Sequence, residues 1–239
     1  MITLALDTAT DRCTVAATDE TRVVERHIDG ARQHARSVLG LMDELLAELG
    51  VAPRDIDRIL TADGPGSFTG LRVAASVAKG IAWAGQVEWH TAPSLLVRAA
   101  AHAPANGGVV LALSDALRGD LYAGCWRFAE GRVERVGDPP RARTPASLAE
   151  FGVVDVVVGS VPEPLRAAVE AATGRALIGG EASLPSARAL LALDMLAGGT
   201  ERVVDVAGWE PEYGRPAEAQ AVWEKKHGRP LPSPPSIAR

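Results

Sequence analysis

Two turns are the places in this sequence where side chains and glycines could perform chemistry. The first is GPGSFTGL at 64–71, which follows one apolar run and precedes another. A strand, a glycine turn and a helix form the arrangement in which backbone N–H groups bind phosphate. The second is LALDTAT, in which Asp7 ends an apolar run and Thr8 and Thr10 follow. A carboxylate beside hydroxyls and backbone N–H groups suits a hydrated metal ion with phosphates.

The glycine spacing in GPGSFTGL matches neither common phosphate-loop pattern. The pattern GxxxxGK[ST] needs a lysine, and the first basic residue after Gly70 is Arg72. The dinucleotide pattern GxGxxG is one residue shorter than the series Gly64, Gly66 and Gly70. The alternative is a Pro–Gly turn of type II that leads into a helix capped by Ser67. Aspartate and threonine also favour ordinary turns, so both interpretations stay open.

The sequence contains no other familiar catalytic pattern. None of the five histidines is three or four residues from another, so HxxxH and HExxH zinc motifs are absent. The nucleophile motif GxSxG is also absent. Cys13 and Cys125 have no adjacent histidine and form no CxxC, and we interpret them as buried thiols. We therefore predict no metal site, no cofactor and no disulfide.

The composition predicts a globular protein that does not bind nucleic acid by itself. The 239 residues are 47% hydrophobic and only 4% aromatic, so alanine, leucine and valine must fill the core. The formal net charge of −5 disfavours extensive phosphate binding. The first residues lack the basic and apolar regions of a signal peptide, and no apolar run approaches the ~20 residues that cross a bilayer. We expect a cytoplasmic protein without membrane contact.

Hydrophobic spacing predicts two similar α/β halves. Strands are expected at 2–7 and 56–63, and helices at about 31–50 and 67–84. After a polar segment at 102–108, strands and helices alternate again.

These patterns divide the chain into three parts. We predict an N-terminal lobe at 1–103 and a C-terminal lobe at 104–227. A proline-rich tail at 228–239 is expected to be disordered or to depend on a partner.

Five segments, in order along the chain, resemble the TsaB family, which is also called YeaZ. They are LALDTAT, QHARSVLGLMDELL, GPGSFTGLRV, SDALRGDLYAG at 114–124 and PEYGR at 211–215. The resemblance implies a two-lobed fold of the actin/Hsp70/sugar-kinase (ASKHA, ribonuclease H-like) type. It also implies a role in making N6-threonylcarbamoyladenosine at position 37 of tRNA. The chain departs from the family at Leu117 and Asp120, where arginine and glutamate are usual.

The resemblance implies an accessory subunit with no catalytic residue. Such a subunit binds the threonylcarbamoyltransferase TsaD and helps to recruit the ATPase TsaE, with TsaC as a further candidate partner. Contact with tRNA is expected only through the complex, and a homodimer is expected when the chain is alone. The positions of TsaD's metal-binding HxxxH fall here on Ser94 and Arg98, and Ala9 replaces a glycine of the first phosphate loop.

Two sets of residues follow from this interpretation. The vestigial nucleotide loops comprise Asp7, Thr8, Thr10, Gly64, Gly66 and Ser67. The partner interface, on the helices at about 32–49 and 67–84, comprises His34, Ala35, Val38, Leu39, Met42, Leu45, Leu46, Phe68, Leu71, Arg72 and Ala75. An ATP-binding kinase or carbamoyltransferase of the same fold is the alternative function, followed by a metallopeptidase.

Overall fold

The computed structural model describes residues 1–30 and 33–214. Two six-stranded mixed sheets and five α-helices make up this part of the chain. The proline-rich tail, the end of the predicted C-terminal lobe and Arg215 of the PEYGR segment lie outside the described residues.

The first sheet combines two antiparallel hairpins with parallel strands. Its strands are β1 (Ile2–Asp7), β2 (Arg12–Thr18), β3 (Val23–Asp29), β4 (Ile56–Ala62), β5 (Glu88–Ala92) and β12 (Glu201–Arg202). They lie in the order β12-β5-β4-β1-β2-β3. β1 pairs antiparallel with β2, which pairs antiparallel with β3, while β1, β4 and β5 run parallel. The carboxyl ends of β1 and β4 therefore meet at one edge.

The second sheet repeats this connectivity. Its strands are β6 (Gly108–Asp115), β7 (Leu121–Ala129), β8 (Arg132–Arg135), β9 (Arg141–Arg143), β10 (Val156–Ser160) and β11 (Leu177–Ile178). The order is β11-β10-β6-β7-β8, with β9 paired to β7. β6, β7 and β8 form the antiparallel part, and β6, β10 and β11 the parallel part. The repeat confirms the predicted two-lobed α/β fold.

Helices cover both faces of each sheet, so the central strands are buried almost throughout. The helices are α1 (His34–Leu49), α2 (Phe68–Ala84), α3 (Ser94–Ala100), α4 (Glu163–Thr173) and α5 (Ala187–Asp194). Leu4 and Leu6 of β1 pack on the face that α1 and α2 cover. The smaller Ala5 faces α3 and α5, which also contact the second sheet. Large and small side chains thus alternate along β1, with the leucines on the face covered by α1 and α2 and the alanine on the face covered by α3 and α5.

The last described elements return to the first sheet. α5 packs on β1 and β2, and β12 pairs antiparallel with β5. α3 and α5 form a layer between the two sheets, where their buried side chains share one core with residues of both. The lobe boundaries predicted from sequence stay a prediction. Within the described ranges, no helix is long and apolar enough to cross a membrane.

Candidate functional site

A cleft of about 690 Å³ lies where the carboxyl ends of the parallel strands of both sheets converge. Thr10 and Asp11 follow β1, Ser67 follows β4, and Ser160 ends β10; all four line the cleft. Open α/β sheets bind ligands outside the carboxyl ends of their strands. The cleft is therefore the first candidate site.

The GPGSF loop closes one side of the cleft, but it is not the predicted type II turn. The Gly64–Pro65 peptide is cis, and the left-handed residue is Gly64, with φ of 121°. Gly66 has no positive φ; a Cβ there would lie 2.5 Å from the Ala9 carbonyl oxygen. Glycine at 66 is thus required by the close approach of two loops and not by turn geometry.

Hydrogen bonds between the two loops use groups that a phosphate would need. The Ser67 N–H donates to the Ala9 carbonyl at 2.7 Å. The Ser67 side chain accepts from the Gly70 N–H at 3.2 Å, which confirms it as the cap of α2. The Thr8 hydroxyl donates to the Gly70 carbonyl at 2.7 Å. Asp7, Thr8 and Ser67 of the predicted loop residues are therefore brought together, and they bond the backbone of Ala9 and Gly70.

Asp7 lies beneath the cleft and is almost completely buried. Its Oδ1 accepts the Ala9 N–H at 2.9 Å, and its Oδ2 has no partner in the described part of the chain. Burial raises the pKa of this carboxyl to about 6, although the Ala9 hydrogen bond and the charge of Arg98 oppose the shift. Thr10 bonds the backbone of Arg12 and completes the turn.

Ser94 and Arg98, which the resemblance aligns with the metal-binding histidines of TsaD, bond the backbone of the chain itself. The Ser94 hydroxyl accepts the Gly64 N–H at 3.0 Å. Arg98 is buried and donates from Nη1 to the Leu113 carbonyl, linking α3 to β6. Across residues 1–30 and 33–214, no group of three or more His, Cys, Asp or Glu side chains is placed to hold a metal ion.

A second candidate site is an open groove of about 490 Å³ between α1 and α2. We call it the α1–α2 groove; it is lined by Ala35, Val38, Leu39, Phe68, Thr69, Arg72, Val73, Ser76 and Val77. Leu39 is 57% exposed and Phe68 is 36% exposed. Trp83, farther along α2, is 68% exposed. Exposed large apolar side chains on adjacent helices are typical of a contact surface.

The predicted interface residues divide into a surface set and a core set. Ala35, Leu39, Phe68 and Arg72 are exposed and line the α1–α2 groove. The core set is buried within the chain itself and consists of His34, Val38, Met42, Leu45, Leu46, Leu71 and Ala75. Val38 forms part of the groove floor, and the His34 ring contacts the Asp11 carbonyl at 3.1 Å.

A cluster of Phe68, Arg72 and Tyr213, of which the site prediction lacked only Tyr213, joins the groove to the cleft. The rings of Phe68 and Tyr213 are 4.6 Å apart, and the Arg72 guanidinium lies 4.0 Å from the Phe68 ring centre. Arg72 Nε donates to the Tyr213 hydroxyl at 3.0 Å. Phe68 lines both sites. Arg72 and Tyr213 are 141 positions apart in the sequence, and the tyrosine of the PEYGR segment was the only sequence signal for their contact.

Known proteins resemble the chain over nearly its whole length. A family model described as "TsaD: tRNA N6-adenosine threonylcarbamoyltransferase" matches residues 28–139. The "tRNA threonylcarbamoyladenosine biosynthesis protein TsaB" of Bacillus subtilis (strain 168) is 29% identical over 231 residues, 93% of this chain and 98% of the relative. The protein of the same name from Escherichia coli (strain K12) is 29% identical over 237 residues, 95% of this chain and 98% of the relative.

A solved structure, "YeaZ from Pseudomonas aeruginosa", superposes with a TM-score of 0.71 at 29% identity. The match covers 89% of this chain and 99% of that one.

Proposed function

The chain belongs to the TsaB/YeaZ family and has a role in tRNA threonylcarbamoyladenosine biosynthesis, and from this we propose that it is an accessory, non-catalytic subunit. It binds and activates the transferase TsaD through the α1–α2 groove. It also helps to recruit the ATPase TsaE, while TsaC is a further candidate and tRNA is contacted only through the complex. The working environment of such a complex is the cytoplasm.

The exposed apolar surface of α1 and α2 is the observation that carries this proposal. The exposed positions of α2 run from Phe68 through Arg72, Ser76 and Gly80 to Trp83, at steps of three and four residues. Such a stripe lies along one side of a helix. Its small residues permit another helix to approach closely, and Leu39 extends the apolar surface onto α1.

The chemistry of the proposed partner follows from this surface. A partner presenting one or two amphipathic helices would cover the groove by packing apolar side chains against it. Arg72 is the basic residue among those that line the groove, so an acidic group on the partner would complement it. A second copy of this chain offers the same surface and would form a twofold dimer when TsaD is absent.

The cleft supports the non-catalytic part of the proposal. The resemblance aligns Ser94 and Arg98 with the metal-binding histidines, and both side chains bond the chain itself. The Ala9 side chain leaves less room for a phosphate in the first loop, and the Ala9 carbonyl accepts a hydrogen bond from the Ser67 N–H. These features remove the metal ligands and a phosphate-binding donor that transfer chemistry of this fold would use.

Co-purification with TsaD tests the proposed interface. Leu39→Asp places a carboxylate in the groove, and we expect it to abolish the complex because the charge would be buried without a partner. Val153→Asp is the matched control, since Val153 is 84% exposed and does not line the groove. Circular dichroism verifies that both variants fold. A Leu39→Asp variant that folds and still co-purifies with TsaD at the wild-type level would exclude this surface.

One observation favours a second candidate, an ATP-binding enzyme of the same fold. The cleft volume of about 690 Å³ is large enough for a nucleotide. Calorimetric titration with Mg-ATP tests it: micromolar affinity that Asp7→Ala abolishes would support this candidate and contradict the non-catalytic assignment.

A further inference from the structure

Arg98 on the floor of the cleft carries more hydrogen-bond donors than its surroundings use. The side chain is 4% exposed, and one donor, on Nη1, bonds the Leu113 carbonyl. Its buried Nε has no partner among the described residues. A guanidinium has five N–H donors, and a buried charge without hydrogen bonds is costly. The structure thus leaves the Nε donor unused on a side chain that lines an open cleft.

Asp7, the acidic neighbour, does not supply the missing contact. It influences the charge of Arg98 electrostatically, but the described bonds of both side chains run to backbone groups and not to each other. Asp7 Oδ1 is engaged by the Ala9 N–H, and Oδ2 is unpartnered. Burial accordingly lowers the pKa of Arg98 to about 10. The guanidinium remains a cation at neutral pH without a bonded anion.

The cleft walls provide hydroxyl groups around this cation. Thr10 and Ser67 line the side formed by the first sheet, and Ser114 and Ser160 line the side formed by the second. Ser114 and Ser160 are directly paired in the parallel register of β6 and β10. Hydroxyls donate hydrogen bonds to carboxylate or phosphate oxygens and adjust their direction freely.

Charges at the rim restrict the size of the anion. Asp11, Asp115 and Asp120 line the cleft together with Arg118. With Arg98, the five ionised side chains have a net charge of −1. A polyphosphate would bring several negative charges close to these three carboxylates and would be strongly repelled. A single oxyanion brings less charge, so the repulsion that it meets on the way to Arg98 is smaller.

We propose that the cleft binds a small molecule through one oxyanion, a carboxylate or a phosphate group, which the unused N–H groups of Arg98 hold. The lining hydroxyls complete its hydrogen bonds, and the acidic rim disfavours polyphosphates. The site is separate from the α1–α2 groove, so the proposal goes beyond the function proposed above and does not depend on TsaD.

Titration of the full-length protein with inorganic phosphate, and separately with acetate, tests the site. The readout is the ¹⁵N–¹H signal of the Arg98 Nε group, with chloride keeping the ionic strength constant. We expect a saturable shift for at least one of the two anions, and the stronger binder identifies the class of oxyanion. The Nε signal of Arg175, which bonds the Val154 carbonyl away from the cleft lining, is the internal reference and should not move. If neither anion shifts the Arg98 signal, the proposal is wrong.

Arg98→Gln should lower the affinity for the anion at least about tenfold, because a hydrogen bond to a charged group is lost. Arg54→Gln removes an exposed cation that does not line the cleft and should leave affinity within about twofold of the wild type. Arg98→Gln also assigns the Nε signal.

A second pair of variants avoids any change at Arg98, whose replacement could unfold the chain. Ser160→Glu adds a carboxylate to the exposed cleft wall and should abolish anion binding by repulsion. Ala171→Glu adds the same charge to an exposed position of α4 away from the cleft lining and should have little effect. Equal anion affinity in both variants would overturn the proposal.

Discussion

Burial of the Asp7 carboxyl disfavours its charged form, and the stability of the protein should therefore depend on pH. The pKa of this carboxyl rises from 3.8 to about 6, mainly through burial. Folding therefore favours the protonated form. The stability that Asp7 contributes is fully present below pH 3.8 and is lost as the pH rises through about 6.

We predict that Asp7→Asn stabilises the protein above pH 7. The amide is uncharged and can still accept the Ala9 N–H, so the gain could reach about 3 kcal/mol in the free energy of unfolding. The gain should vanish below about pH 4. Urea denaturation across this pH range measures it. Asp43→Asn, at an exposed position of α1, is the control, and identical pH profiles for the two variants would contradict the prediction.

The sequence identified Asp7, Thr8 and Ser67 as members of one site, and the structure brings them together. The capping role of Ser67 was predicted, but the contacts of Asp7 and Thr8 could not be, because the groups that they bind belong to the backbone of Ala9 and Gly70. The proximity of Asp7 and Arg98, 91 positions apart, also had no local signal. Only the packing of α3 against the strand ends creates it.

Among the elements, Gly66 in the loop before α2 and Gly80 within α2 have opposite roles. A Cβ at Gly66 would lie 2.7 Å from the Ala9 Cβ, whereas a Cβ at Gly80 would meet no atom within 4 Å. Gly66 therefore permits two loops to touch, and Gly80 is an exposed position of the helix.

We predict opposite effects of alanine at these two glycines. Gly66→Ala should lower the free energy of unfolding by about 1–3 kcal/mol because the loops must separate. Gly80→Ala should raise it by up to about 1 kcal/mol, since alanine favours the helix. Chemical denaturation of the two variants, each compared with the wild type, gives the values. A neutral Gly66→Ala variant would show that the loops separate freely.

The Phe68–Arg72–Tyr213 cluster fixes the last described segment against the start of α2. Tyr213→Ala removes a ring contact and the hydrogen bond from Arg72, so we expect a loss of about 1–2 kcal/mol. We also expect faster proteolysis near residue 213, because the segment is released. Tyr213→Phe keeps the ring and should retain most of the stability. Equal cleavage rates for the wild type and Tyr213→Ala would contradict this role.

The spacing of apolar residues predicted the positions of α1 and α2 but could not divide their faces between core and surface. In α2, apolar and small residues occupy both the buried positions, such as Leu71 and Ala75, and the exposed ones, such as Phe68 and Trp83. In α1, Leu39 and Leu45 are the same residue type, and only the position of the sheet makes one exposed and the other buried. The polar face that normally marks the surface of a helix is nearly missing from α2.

On the scale of the whole molecule, the two repeated sheets leave two surfaces for function. The cleft lies between the sheets, and the α1–α2 groove lies on the outer face of the first sheet. Phe68 belongs to both, so occupation of one surface could change the other through this ring. The internal repeat was readable from the sequence because hairpin strands begin each half. The return of β12 to the first sheet was not, because a strand of two residues has no detectable pattern.

We propose that tRNA modification depends on the α1–α2 groove of this chain and not on chemistry in its cleft. This dependence is tested most directly by the threonylcarbamoyladenosine content of tRNA in cells whose own copy of this chain is replaced by a variant. Nucleoside mass spectrometry gives this content for Leu39→Asp, Asp7→Asn and the control Val153→Asp, at matched protein levels. We predict loss of the modified nucleoside with Leu39→Asp and wild-type content with the other two. Full content with Leu39→Asp, together with loss in Asp7→Asn, would contradict the account.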